Sequence, residues 1–257
     1  TLDRSSAASD VYKRQDIMTS NGPFGQKNSH QTNPFQPIPG SPGVSHQRTV
    51  NSGDSKNYTR TGRLKTAATL TVGFLVVEWV IHIINFLVFR NGLGQYGIHP
   101  LDFNGIWGIF TAPLLHANFE HLIGNSLPGA VFCFLIGLSG RKAWWEVTII
   151  VVLIAGVGTW LLGGPGTSHI GASGMVYGWL SYLIVRGIFN RSLTQFLVGL
   201  GLGFAYSGLI WGVLPIYEGV SWQGHLFGAI GGIVAGMVIT SDDPIKKVTP
   251  TPRAGMR

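Results

Sequence analysis

The chain is poor in cysteine and in charge. Its one thiol, Cys133, excludes an internal disulfide framework and any cysteine-based zinc site. Charged residues make up 11% of the 257 residues, against ~25% in ordinary soluble domains, which argues against a water-soluble globule. No H-E-x-x-H signature occurs and no paired aspartates fall in the apolar runs, so zinc-dependent and two-aspartate hydrolysis are disfavoured. No internal repeat of the transporter kind is visible. A cleavable signal peptide is not expected, because the first apolar run comes too late and is too long.

What is present is unevenly placed. The net charge is +7, yet residues 66–240 hold five basic and five acidic side chains and contribute nothing to it. Residues 1–65 carry nine Lys/Arg against four Asp/Glu, and residues 241–257 carry four against two. A nearly uncharged body between polar, basic tails is the pattern of a membrane protein. Residues 1–64 are rich in Ser, Asn, Gln, Gly and Pro without apolar periodicity and read as a disordered tail. Within them, residues 1–15 look like translated adapter sequence, which places the expected natural start at Met18. Residues 65–240 read as one all-α domain, and 241–257 as a second tail.

Roughly 20 residues at 1.5 Å rise cross a hydrocarbon core. Apolar stretches of that order fall near 66–89, 118–138, 143–163, 171–189, 193–213 and 224–240, predicting a six-helix polytopic bundle. An even number of spans puts both tails on one side. With that side cytoplasmic, 17 of the 18 basic residues lie inside and only Arg90 outside, as the positive-inside rule demands. The expected location is the cell membrane. The 90–117 connection, with Phe103, Trp107 and Phe110 among glycines, is expected to fold against the outer interface. Gly224, Gly228, Gly232 and Gly236 form a four-residue row on the last span, and Gly174 and Gly178 repeat the spacing on the fourth, predicting close helix contact.

Polar groups at membrane depth are costly and call for a role. The candidates are Glu78, His82, His116, His121, Asn125, Ser173 and His225. The second, fourth and sixth spans all run inward, so His116, His121, Asn125, Ser173 and His225 gather in one outer layer. That set permits nucleophilic catalysis: a serine hydroxyl attacks a carbonyl once a histidine removes its proton. His225 is the expected base for Ser173, whose Gly171-Ala172-Ser173-Gly174 context allows close approach of a substrate backbone. His121 and Asn125, four residues apart on one face, can donate to an oxyanion alongside the free N–H groups of the helix start. Taken singly these signals mean little, since G-x-S-G strings and isolated histidines are common in glycine-rich membrane helices. Glu78 and His82 are expected to satisfy each other as an i,i+4 pair facing the bundle; a proton or ion path is the alternative. Asp102 and Glu218 are expected to be solvated.

The arrangement His116-x4-His121-x3-Asn125, Gly171-x-Ser173-Gly174 and Gly224-His225-x2-Gly228-x3-Gly232 resembles the rhomboid intramembrane serine proteases. The resemblance spans the six-helix body and not the tails. It implies a Ser173–His225 dyad without a carboxylate, and an oxyanion hole of His121, Asn125 and the Ser173 N–H. His116 and Gly171 would support the site, and the Tyr177 ring would pack on His225. One departure stands out: Trp107-Gly108 replaces the Trp-Arg of many members, which leaves open how the first outer loop is braced. The resemblance implies an endopeptidase that cuts single-span membrane proteins near the outer leaflet. An inactive client-binding relative is the competing expectation. Membrane lipid is an expected partner; no cofactor, metal or nucleic acid is expected.

Overall fold

A computed structural model describes residues 60–239. The expected tail 241–257 and residues 1–59 lie outside the described residues. Among the described residues there are seven α-helices: α1 (Arg60–Leu87), α2 (Gly108–Thr111), α3 (Phe119–Gly137), α4 (Arg141–Leu162), α5 (Ser173–Phe189), α6 (Leu193–Ala205) and α7 (Trp222–Val238). Among the described residues there is no sheet, only an isolated antiparallel bridge between Ile98 and His169. The fold class is all-α, as expected.

The burial pattern of α1 states what its surroundings are. Its 28 residues extend about 42 Å, longer than a ~30 Å hydrocarbon core. It buries Glu78, His82 and Asn85 while exposing Val76, Val80 and Ile84. In water that polarity would be inverted, whereas in lipid the apolar face is the outer one. Helices α1, α3 and α4 are long and apolar enough to cross a membrane, and α6 with the turn that follows it would be a fourth span. Helices α5 and α7 each have 17 residues. The stretch 193–213, expected as one continuous span, is instead broken: α6 and the 3-10 turn Ser207–Val213 meet at a 68° bend.

Small residues set the helix spacing. A Cβ on Gly228 would strike the Gly174 carbonyl oxygen, and one on Gly232 the Gly178 carbonyl oxygen. A Cβ on Gly174 would lie 3.0 Å from the Gly224 carbonyl oxygen. The predicted glycine row therefore does pack α7 onto α5, backbone against backbone. At the far end of this pair, Arg186 is buried and its Nη1 donates to the Gly236 carbonyl at 2.9 Å, placing a cation where the last carbonyls of α7 lack helical donors. On the other side of the bundle, Phe74 of α1 packs into the space left by Gly129 of α3, and Trp79 Nε1 donates to Ser126 Oγ at 3.1 Å. Between these interfaces Phe132, Val147, Val151 and Trp179 form a fully enclosed apolar core.

The 90–117 segment is folded. It contains α2 and the 3-10 turns Gly92–Tyr96, Phe103–Gly105 and Ala112–Leu114. Phe103, Trp107 and Phe110 are exposed on it. Asp102 is more than a solvated carboxylate: it caps a turn by accepting from the Asn104 N–H at 2.9 Å. Gly108 has a steric reason, since a Cβ there would run into the Gly97 carbonyl. No arginine fits at that position; the loop is braced by backbone approach instead. Further ties are Trp160 Nε1–H to the Asp102 carbonyl at 3.0 Å and the Leu101 N–H to the Trp160 carbonyl at 3.0 Å.

Candidate active site

The chain enters α5 through Gly171, whose φ of +124° belongs to a region that L side chains rarely adopt. Its N–H donates to the Ala112 carbonyl at 2.9 Å, tying this turn to the folded first loop. A Cβ at Gly171 would also lie 2.5 Å from His121 Cε1, so the glycine lets the His121 ring stand against the turn. Ser173 is the first residue of α5, where backbone N–H groups have no helical acceptor. On α7, Ser221 caps the helix by accepting from the Gly224 N–H at 3.3 Å and so fixes the turn that carries His225.

His225 Nε2 lies 2.7 Å from Ser173 Oγ, and its Nδ1 lies 2.8 Å from the Gly212 carbonyl oxygen. A carbonyl only accepts, so Nδ1 carries the proton and Nε2 presents its lone pair to the serine hydroxyl. The carbonyl occupies the place that a carboxylate takes in a triad. The Tyr177 ring lies flat on His225, with centroids 4.1 Å apart and planes at 8°. The Tyr177 hydroxyl donates to the Leu209 carbonyl at 2.7 Å, which anchors that ring to the turn after α6.

Helix α3 supplies the facing wall. Asn118 caps it by accepting from the His121 N–H at 2.8 Å, which orients the first turn. His116 lies just outside the helix, is fully enclosed, and holds Asn125 Nδ2 at 3.2 Å from its Nε2. The His116 and His121 rings meet edge to face at 5.1 Å. His121, Asn125, Ser173, Tyr177 and His225 line one cavity of about 930 Å³. All seven residues singled out from the sequence thus lie in or beside one site.

The expected Glu78–His82 pair is not what the structure contains. Glu78 Oε2 instead approaches His116 Nδ1, at 3.4 Å, and both His82 nitrogens lack hydrogen-bond partners. The i,i+4 spacing put both groups on one face, but His116 from another segment reaches the carboxylate. Sequence reasoning also missed His169. Its Nδ1 lies 2.7 Å from Ser221 Oγ and its Nε2 lies 2.8 Å from Thr167 Oγ1. Burial lowers its pKa below the ordinary 6.5, the Gly163 carbonyl opposes that shift, and nearby His99 adds to it. A loop histidine in no motif gave no signal; only the fold brings it to Ser221.

Residues 104–242, just over half of the chain, match the Rhomboid domain family. The chain is 39% identical over 207 residues to an uncharacterized protein of Mycobacterium tuberculosis, covering 77% of this chain and 85% of that one. It is 40% identical over 190 residues to an uncharacterized Mycobacterium leprae protein, covering 71% and 74%. A Bacillus subtilis protein, whose name assigns it provisionally to the rhomboid proteases, is 25% identical over 193 residues, covering 70% and 92%. The matched stretch contains α3 to α7 and every residue of the cavity named above, and α1, α3 and α4 are long and apolar enough to cross a membrane. The chain is a multi-pass membrane protein and belongs to the rhomboid family.

Proposed function

We propose that this protein is an intramembrane serine endopeptidase working through a Ser173–His225 dyad. The observation that carries the reading is the 2.7 Å contact between Ser173 Oγ and a His225 whose tautomer is set by the Gly212 carbonyl. In this scheme Ser173 Oγ attacks the scissile carbonyl carbon as its proton passes to His225 Nε2. The resulting imidazolium keeps its Nδ1–H on Gly212, and the Tyr177 ring face stabilises its charge. The oxyanion accepts from the Ser173 N–H, from Asn125 and from His121. His225 then returns the proton to the departing amine. The acyl-enzyme is opened by water drawn from the cavity, with His225 again the base.

The site requires an extended peptide, since a helical one keeps its carbonyls in hydrogen bonds. Substrates are therefore single-span membrane proteins with helix-weakening residues near the scissile bond. Six spans in the cell membrane, with both termini cytoplasmic and the cavity toward the outer face, complete the reading; the distribution of basic residues supports that orientation.

Reconstitution with a single-span reporter tests it. Ser173→Ala and His225→Ala should each lower cleavage by about 10⁴-fold or more. Cleavage that survives Ser173→Ala sinks the assignment. A fluorophosphonate should label wild type at Ser173; an intact preparation that neither labels nor cleaves, yet retains the reporter, points to client binding instead.

A further inference from the structure

Away from the dyad, buried polar atoms concentrate between α1 and the segment leading into α3. Glu78, His82 and His116 are 2%, 1% and 1% exposed. Both Glu78 oxygens, both His82 nitrogens and His116 Nδ1 have no hydrogen-bond partner. Glu78 Oε2 and His116 Nδ1 face each other at 3.4 Å. The neighbouring faces are aromatic: Phe119 stands edge-on to His82 at 4.5 Å. Asn85, one turn further along α1, accepts at its Oδ1 from the Leu93 N–H. Unpaired polar groups cost far more inside a protein than apolar groups of the same shape. A carboxylate kept there has a use that packing alone does not supply.

The hydrogen bond on the far side of His116 identifies that use. Asn125 Nδ2, 3.2 Å from His116 Nε2, is an amide nitrogen and can only donate. Nε2 must therefore accept, which in a neutral imidazole leaves the proton on Nδ1, the atom facing Glu78. The series runs from α1 through His116 to Asn125, which lines the cavity it shares with Ser173.

We propose that Glu78 is a positioning residue for the oxyanion-binding wall. Its carboxyl, 3.4 Å from His116 Nδ1, favours the proton on that nitrogen and so the tautomer in which Nε2 accepts, which orients the Asn125 amide toward the substrate carbonyl. The inference rests on the protease reading of the site and adds α1 to its machinery. The same logic orients a catalytic imidazole through a buried carboxylate, except that here the oriented group is the oxyanion donor.

The test compares wild type, Glu78→Gln and Glu78→Leu in reporter vesicles, with kcat and KM measured separately and thermal unfolding run alongside. Glu78→Leu should lower kcat by about 10–100-fold with KM nearly unchanged. Glu78→Gln keeps an acceptor oxygen and should restore kcat to within about threefold. A Glu78→Leu kcat equal to wild type overturns the proposal, as does a loss in Glu78→Gln as deep as in Glu78→Leu. Because Glu78→Leu can fail to fold, nitrogen NMR of imidazole-labelled wild-type protein gives an independent reading. The Nδ1–H tautomer of His116 is expected, and the Nε2–H tautomer overturns the proposal. Cleavage that persists in Ser173→Ala defeats the protease reading, while the NMR result still judges the role of Glu78.

Discussion

The two walls of the cavity are built on opposite principles. The α5–α7 wall, which carries Ser173 and His225, brings backbone against backbone at Gly174, Gly178, Gly228 and Gly232, and Ser181 and Arg186 of α5 add hydrogen bonds to carbonyls of α7. Its polar side chains end on carbonyls: His225 on Gly212 and Tyr177 on Leu209. The wall formed by α1, α3 and the segment before α3 is held by side chains, with Phe74 filling the space at Gly129 and polar groups relayed from Glu78 through His116 to Asn125. In the first wall the placement of Ser173 against His225 is a consequence of helix packing. In the second it depends on tautomer and rotamer, so chemistry there can be lost without losing the fold.

Substitutions should separate the two walls. Gly228→Leu drives a side chain into the Gly174 carbonyl and should have the largest effect, ~3 kcal/mol of stability lost together with all cleavage. Thermal unfolding in detergent measures it, and an unchanged midpoint would refute the tight α5–α7 contact. Asn125→Ala should leave the fold standing, because it removes one amide from a cavity wall, while lowering kcat about 10²–10³-fold. Parallel loss of stability and activity in that variant would erase the contrast between the walls.

The smallest effect is expected at the rim, where His169 joins the loop before α5 to Ser221 at the start of α7. Folding lowers the pKa of His169 below 6.5, chiefly by burial, so the unfolded chain binds the proton more readily. The contribution of this residue is therefore fully present above pH 6.5 and is lost progressively as pH falls from that value through the lowered folded-state pKa. His169→Asn should show a shallower acid-side decline in unfolding temperature between pH 8 and pH 5 than wild type. An identical decline in both proteins would remove His169 from the pH response.

Much of this was legible beforehand because the relevant signals are local or periodic. Apolar runs located the helices to within a few residues at most ends, although α1 begins at Arg60, ahead of the expected 66. The glycine spacing on α7 named its partner on α5. The bend between α6 and the following turn was not legible, since both halves are equally apolar and hydropathy does not register a change of direction. Gly108 read as a departure from the family pattern, and only the approach of Gly97 explained it.

By itself the sequence determined the all-helical, membrane-adapted architecture and the identity of the polar residues that had to meet. Both follow from composition and period, which survive in a linear string. Tertiary structure alone decided which of those residues touch. Glu78 turned from His82 to His116, His225 found a carbonyl on Gly212, and His169 found Ser221. Each partner lies on a different segment of the chain. Burial leaves a polar group to meet whatever polar partner the packed neighbours bring close, and that neighbour is fixed by helix packing rather than by sequence distance.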